Sequence, residues 1–218
     1  MDMRGLSNFI ADIRKATGNR DEEVRRVEQE LGKIRSKFRT GSDLSPYDRK
    51  KYMCKLLFIF MLGYEVDFGH MEALSLLAGQ SATEKLVGYL SISLLLHEQH
   101  PLMTLATHTI HNHLVNGDAD LDKSLAMTAI ANVGGRELCD ASAPSVQLIA
   151  AGTFQTPVSS RVQSKAFLTC LRLHRKYRGS IDAMVVGPAA VRLVTSHDMS
   201  QAACALSLIV GLLSDPNV

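Results

Sequence analysis

The chain reads as an all-α protein, a solenoid of helical hairpins, on three observations. Its 218 residues are 46% hydrophobic but only 6% aromatic, with no Trp and six Pro, a balance that favours helices over sheet. Apolar stretches alternate with short polar or glycine-containing breaks along most of the chain. Four such stretches, GYLSISLLL from Gly88, AMTAIANVG from Ala126, AFLTCLRLH from Ala166 and ACALSLIVG from Ala203, stand 38, 40 and 37 residues apart.

That spacing is the period of HEAT or armadillo repeats, whose paired helices stack into a right-handed α-solenoid because neither helix buries its apolar face alone. Breaks between helices are expected at GQSAT (79–83), HEQHP (97–101), NGDAD (116–120), GGRE (134–137), GTFQTP (152–157), YRGS (177–180) and SHD (196–198). No strongly polar closing repeat follows QAACALSLIVGLL, so residues 1–218 are expected to be one solenoid segment, the N-terminal piece of a longer trunk.

Taken in order, MDMRGLSNFIADIRK lacks the continuous apolar core of a secretory signal. From Asp21 to Phe38, the residues Val24, Val27, Leu31, Ile34 and Phe38 recur at steps of three and four, the stripe of an amphipathic helix with one buried face. Its acids Asp21, Glu22 and Glu23 lead and its cations Lys33, Arg35 and Lys37 trail, as the helix dipole favours. The next helix starts near residue 46, with Ser45 as N-cap, Pro46 at the first helical position and Asp48 behind it, and Gly63 is its terminator. Its apolar half, CKLLFIFMLGY, is too short to span a bilayer and reads as a core helix held between neighbours on several sides.

Charge is distributed unevenly. Residues 1–55 hold 14 Lys/Arg and 9 Asp/Glu, while the remainder holds 10 and 13. Arg49, Lys50 and Lys51 fall in the first turns of their helix, where the dipole disfavours a cation by roughly 0.3–1 kcal/mol. A local rule broken at this point marks a site. A short turn at 40–45 would bring Lys37 and Arg39 beside Arg49, Lys50 and Lys51 at one corner, dense enough to expect an anionic partner. A solvated helix face accounts for the charge count alone equally well.

Other chemistry is weakly represented. Cys54, Cys139, Cys170 and Cys204 lie far apart without a C-x-x-C pair and read as buried free thiols, with neither a disulfide framework nor a zinc site indicated. In HTIHNH, His108 and His111 share a helical face while His113 lies about 160° away, so exposed polar histidines are expected and no metal site. HEQH (97–100) reads as a helix end. No phosphate-loop, dinucleotide or nucleophile-elbow pattern occurs, so neither an enzyme nor a cofactor is expected. No segment reaches the roughly 18 apolar residues of a membrane span, and the cytosol is the expected compartment.

MRGLSNFIADIR, IRSKF, KKYMCKLLFIFMLGYEVDFGHMEAL, LVGYL and AIANVGGRE together resemble the N-terminal trunk of the alpha-adaptins, large subunits of the plasma-membrane clathrin adaptor. The similarity runs along the whole chain and is densest over residues 3–90, with the gamma chains of the Golgi and endosomal adaptor as the nearest rival. The resemblance implies an α-solenoid that cradles a small sigma subunit and works with beta and mu chains to gather cargo for clathrin-mediated endocytosis, peripherally on the cytoplasmic face at coated pits. It implies a patch for phosphatidylinositol 4,5-bisphosphate at Arg4, Lys37, Arg39, Arg49, Lys50, Lys51, Tyr52 and Lys55, and a role for Arg14 in holding the acidic position of dileucine sorting signals. Where the family commonly has three lysines before the Tyr, this chain has Arg49-Lys50-Lys51, and Asp48 is an awkward neighbour whose carboxylate is expected to cap backbone amides. Two other classes compete: a nucleic-acid or import scaffold, disfavoured because the later repeats are slightly acidic, and an assembly scaffold with no lipid role.

Overall fold

A computed structural model describes residues 3–16, 18–39, 44–117 and 119–214, which form eleven α-helices and no strand among the described residues. The chain divides into two compact units, Met1–Leu96 and His97–Val218.

The first unit contains α1 (Arg4–Lys15), α2 (Arg20–Arg39), α3 (Pro46–Met61), α4 (His70–Leu77) and α5 (Ala82–Leu95). The apolar half of α3 is its hub and packs against the other four helices, as an all-round apolar helix must. Met53, Leu56, Leu57 and Ile59 are buried there together with Val27 and Ile34 of α2 and Phe9 of α1. Phe9 also meets Phe58 edge to face at 6.0 Å. Each such aliphatic burial contributes about 1.5–3 kcal/mol.

Both predicted ends of α3 are realised. Ser45 Oγ accepts from the Asp48 amide at 3.1 Å with Pro46 in the first turn. At the far end Gly63 takes φ 93°, its amide donates to Phe60 O and the Tyr64 amide to Ile59 O, the paired bonds that terminate a helix through a left-handed residue. The α4/α5 hairpin closes tightly at Gly88, where an added Cβ would lie 2.4 Å from the Leu77 backbone nitrogen.

The second unit contains α6 (Met103–Asn116), α7 (Asp120–Val133), α8 (Arg136–Ala151), α9 (Ser160–Lys176), α10 (Ala183–Val194) and α11 (Met199–Leu213). They pair as the hairpins α6/α7, α8/α9 and α10/α11. Within this unit α6, α8 and α10 pack in succession as one layer and α7, α9 and α11 as the other. Buried Ile110, Leu114, Met127, Ile130, Val146, Ile149, Phe167, Leu173, Val186 and Leu208 fill the space between the layers.

The recurring apolar segments occupy α5, α7, α9 and α11, every second helix, so their 37–40-residue spacing is the length of one hairpin. All seven expected breaks coincide with helix connections. Two features depart from the pattern. Pro144 lies inside α8 and Pro188 inside α10, each removing one intrahelical hydrogen bond without ending its helix.

Candidate anion-binding site

The candidate lipid-binding residues occupy the start of α1, the end of α2 and the first ten residues of α3. Arg49, Lys50 and Lys51 are consecutive, so each side chain leaves α3 about 100° from the last. The three therefore fan out instead of sharing a face. Lys50 is only 6% exposed and its ammonium donates to Thr83 Oγ1, in the first turn of α5, at 2.9 Å. Arg49 turns another way, donating to Leu44 O at 3.5 Å and lining a shallow pocket with Phe38, Met71, Glu72 and Ser75.

Lys51 faces the corner itself. Its ammonium lies 2.5 Å from Asp48 Oδ1, 4.7 Å from the centre of the Tyr52 ring and 5.6 Å from that of Tyr47. A Cβ on Gly5 would touch the Lys51 stem at 3.5 Å, so the first turn of α1, which carries exposed Arg4, runs alongside. Tyr52 in turn meets Phe38 edge to face at 6.4 Å, joining α3 to the last turn of α2. Lys37 and Arg39 are exposed in that turn and make no ion pair among the described residues.

Asp48 departs from expectation. Among the described residues its carboxylate caps no backbone amide: Oδ1 takes Lys51 and Oδ2 accepts from Ser45 Oγ at 2.9 Å, while Ser45 Oγ itself caps the helix. The hydrogen bond from Lys51, then that from Ser45, with the fields of Lys51 and Lys37 behind them, hold this carboxyl below the usual range. The same contact with Asp48 raises the Lys51 ammonium.

Lys55 serves a different role from exposed Arg4, Lys37 and Arg39. It is 8% exposed and its ammonium lies 2.5 Å from Oε1 of Glu30, a residue only 3% exposed. Oε2 of Glu30 takes Arg26 at 2.8 Å, and Arg26 continues to Asp12 at 3.1 Å while lying 4.9 Å from the centre of the Phe9 ring. Desolvation pushes the Glu30 carboxyl up, but the hydrogen bonds from Lys55 and Arg26 outweigh it and leave the group below its ordinary value. This network ties α1, α2 and α3 together and was not anticipated. Its signal was available, since Glu30 sits on the same helical face as buried Val27 and Ile34, and a carboxylate there requires a cation.

Arg14 lies exposed in the last turn of α1, ten residues from Arg4 and so about 15 Å along the helix from the corner. The structure does not gather it with the other candidates.

Elsewhere, His108 is exposed as expected, but His111 and His113 are half-buried, and His111 Nδ1 is shut from solvent without a hydrogen-bond partner. No group of three potential metal-ligating side chains is assembled among the described residues. Cys139 and Cys170 are buried, their thiols pushed by desolvation to about 11 and about 12, whereas Cys54 and Cys204 are half-buried. No described helix is long and apolar enough to cross a membrane.

Residues 23–217 match the family described as adaptin N terminal region. The chain is 40% identical over 213 residues to AP-2 complex subunit alpha-1 of Arabidopsis thaliana, covering 98% of this chain and 21% of that protein. It is 41% identical over 212 residues to AP-2 complex subunit alpha of Schizosaccharomyces pombe, covering 97% and 23% respectively. Against AP-1 complex subunit gamma-like 2 of Mus musculus it is 37% identical over 172 residues, 78% of this chain and 20% of that protein. The chain thus spans about a fifth of the length of these relatives. With its described residues forming helical hairpins that repeat every 37–40 residues, and with the family match running over residues 23–217, the chain belongs to the adaptin N-terminal region family.

Proposed function

We propose that this chain is part of the trunk of a non-enzymatic clathrin adaptor large subunit of the alpha type, and that its corner binds phosphatidylinositol 4,5-bisphosphate on the cytoplasmic face of the plasma membrane. Both units, residues 1–218, are read as belonging to one trunk. The observation that carries the lipid reading is the set of exposed or half-exposed cations, Arg4, Lys37, Arg39 and Lys51, at the meeting of α1, α2 and α3, with Tyr52 between them. The alpha type is favoured over the gamma type because alpha relatives match 97–98% of the chain and the gamma-like one 78%.

Exposure and placement favour some candidates as headgroup contacts over others in this reading. Arg4, Lys37, Arg39 and Lys51 take that role with Tyr52 beside them, Arg49 flanks them, and Lys50 and Lys55 hold the frame. Each basic residue near an anionic surface contributes about 1 kcal/mol, so four or five give reversible attachment. Stable residence then requires further lipid and cargo contacts through sigma, beta and mu partners in one complex. Arg14, remote from the corner, is free to meet the acidic position of a dileucine signal whose leucines the sigma subunit would hold.

Sedimentation with phosphatidylcholine vesicles, with and without phosphatidylinositol 4,5-bisphosphate, tests the lipid reading. Binding is expected only with the inositide, falling as salt rises, and weakened in Lys37→Gln/Arg39→Gln. Equal binding by wild type and this variant would leave the corner a solvated helix end.

A further inference from the structure

Two groups contact the carboxylate of Asp48 and a third acts on it at longer range. Lys51 Nζ lies 2.5 Å from one oxygen, Ser45 Oγ donates to the other at 2.9 Å, and Lys37 adds its field from the end of α2. An ammonium, a hydroxyl donor and a second cation around two acceptor oxygens are what a phosphate monoester would also require. The acid lies three residues in sequence from each of Ser45 and Lys51, so it is always present at high effective concentration. Yet the pair is not sealed: the Asp48 side chain is 41% and the Lys51 side chain 19% exposed, so water reaches the contact and a dianion can compete for it. The cap of α3 does not depend on it, because Ser45 Oγ receives the Asp48 backbone amide whatever the carboxylate does.

We propose that the Asp48 carboxylate is a built-in competitor seated where a ligand phosphate binds, and that a phosphorylated ligand enters by displacing it from Lys51 and Ser45. The inference rests on the headgroup reading above and adds its regulation. Asp48 lowers the resting affinity of the corner, so that a multiply phosphorylated headgroup, bringing more charge than the carboxylate it replaces, is needed to open it.

Wild type, Asp48→Asn, Lys51→Gln and the double variant are compared on two probes: vesicles of phosphatidylcholine with phosphatidylinositol 4,5-bisphosphate, and soluble inositol 1,4,5-trisphosphate, which carries phosphates without a membrane. Asp48→Asn is expected to tighten binding of both by about fivefold, about 1 kcal/mol of local competition removed. The gain should shrink to less than about twofold when Lys51 is already Gln, since the two residues act as a unit. Asp48→Ser, with a shorter neutral side chain, should reproduce the gain if the melting temperature is kept.

Wild-type binding with no gain in Asp48→Asn would overturn the inference and leave the lipid reading standing. So would a gain confined to vesicles, or one of equal size in the Lys51→Gln background, either of which reports general charge. Failure of every variant to bind either probe would overturn both.

Discussion

Lys55 and Glu30 meet at 2.5 Å in the interior of the first unit, 25 residues apart in sequence. A lysine of the basic segment is thereby made part of the frame that holds α3 against α2, with Arg26 and Asp12 extending the tie to α1. Removing one partner of such a pair leaves a buried charge and costs about 3–5 kcal/mol. Glu30→Ala and Lys55→Ala should each lower stability by that order in urea melts, whereas Glu30→Met/Lys55→Met together should recover much of the loss. Any weakened lipid binding in a Lys55 variant then has to be read beside its melting curve.

The same pair sets an acid limit. The folded-state carboxyl of Glu30 is held below its ordinary 4.5, so its contribution is present above about pH 4.5, the unfolded value, and is lost as pH falls through the lower folded one. Melting temperature should fall across that acid window more steeply in wild type than in Glu30→Gln, which has no carboxyl to protonate. Parallel curves would show that other carboxylates dominate the acid limb.

Lys50 and the Lys37/Arg39 pair should separate stability from binding. Lys50 reaches Thr83 and is buried, so Lys50→Gln is expected to lower the melting temperature while changing inositide affinity little. Lys37→Gln/Arg39→Gln should leave the melt unchanged and weaken vesicle binding by about 30-fold, two charges at about 1 kcal/mol each. Scanning calorimetry beside co-sedimentation distinguishes the two patterns.

Gly88 is the closest approach of α4 and α5. A methyl group there would meet backbone atoms of Leu76 and Leu77 at 2.4–2.8 Å, and backbone cannot rotate away as a side chain can. Gly88→Ala should therefore destabilise the first unit by about 1–3 kcal/mol, although alanine is the better helix former. Thermal melts showing no loss would mean that the hairpin opens easily.

Thiol chemistry should follow burial. Cys54 and Cys204, half-buried, are expected to react first with an aromatic disulfide reagent in the native state. Cys170, pushed up to about 12 in its buried site, should react only as the protein unfolds. Mass spectrometry after brief labelling gives the order directly.

Much of the architecture was legible in the residues alone because its determinants are local. Ser45-Pro46 and Gly63 bound α3 through groups within one turn of each end. The 37–40-residue recurrence marked every second helix because one hairpin is one repeat. The fan of Arg49, Lys50 and Lys51 was also implicit, since consecutive helical residues point about 100° apart, but which neighbour each would find was not.

Tertiary structure decided those partners. Lys50 found Thr83, 33 positions away, and Lys55 found Glu30, 25 positions away, through packing that no local periodicity encodes. Asp48 lay closer to prediction in place than in role, capping no amide among the described residues and instead occupying Lys51 and Ser45. By itself the sequence determined the helices, their breaks and a concentration of charge near the N-terminus. Only the folded chain divided that charge into cations that face water and cations that hold helices together, because burial is a property of neighbours brought together across the chain.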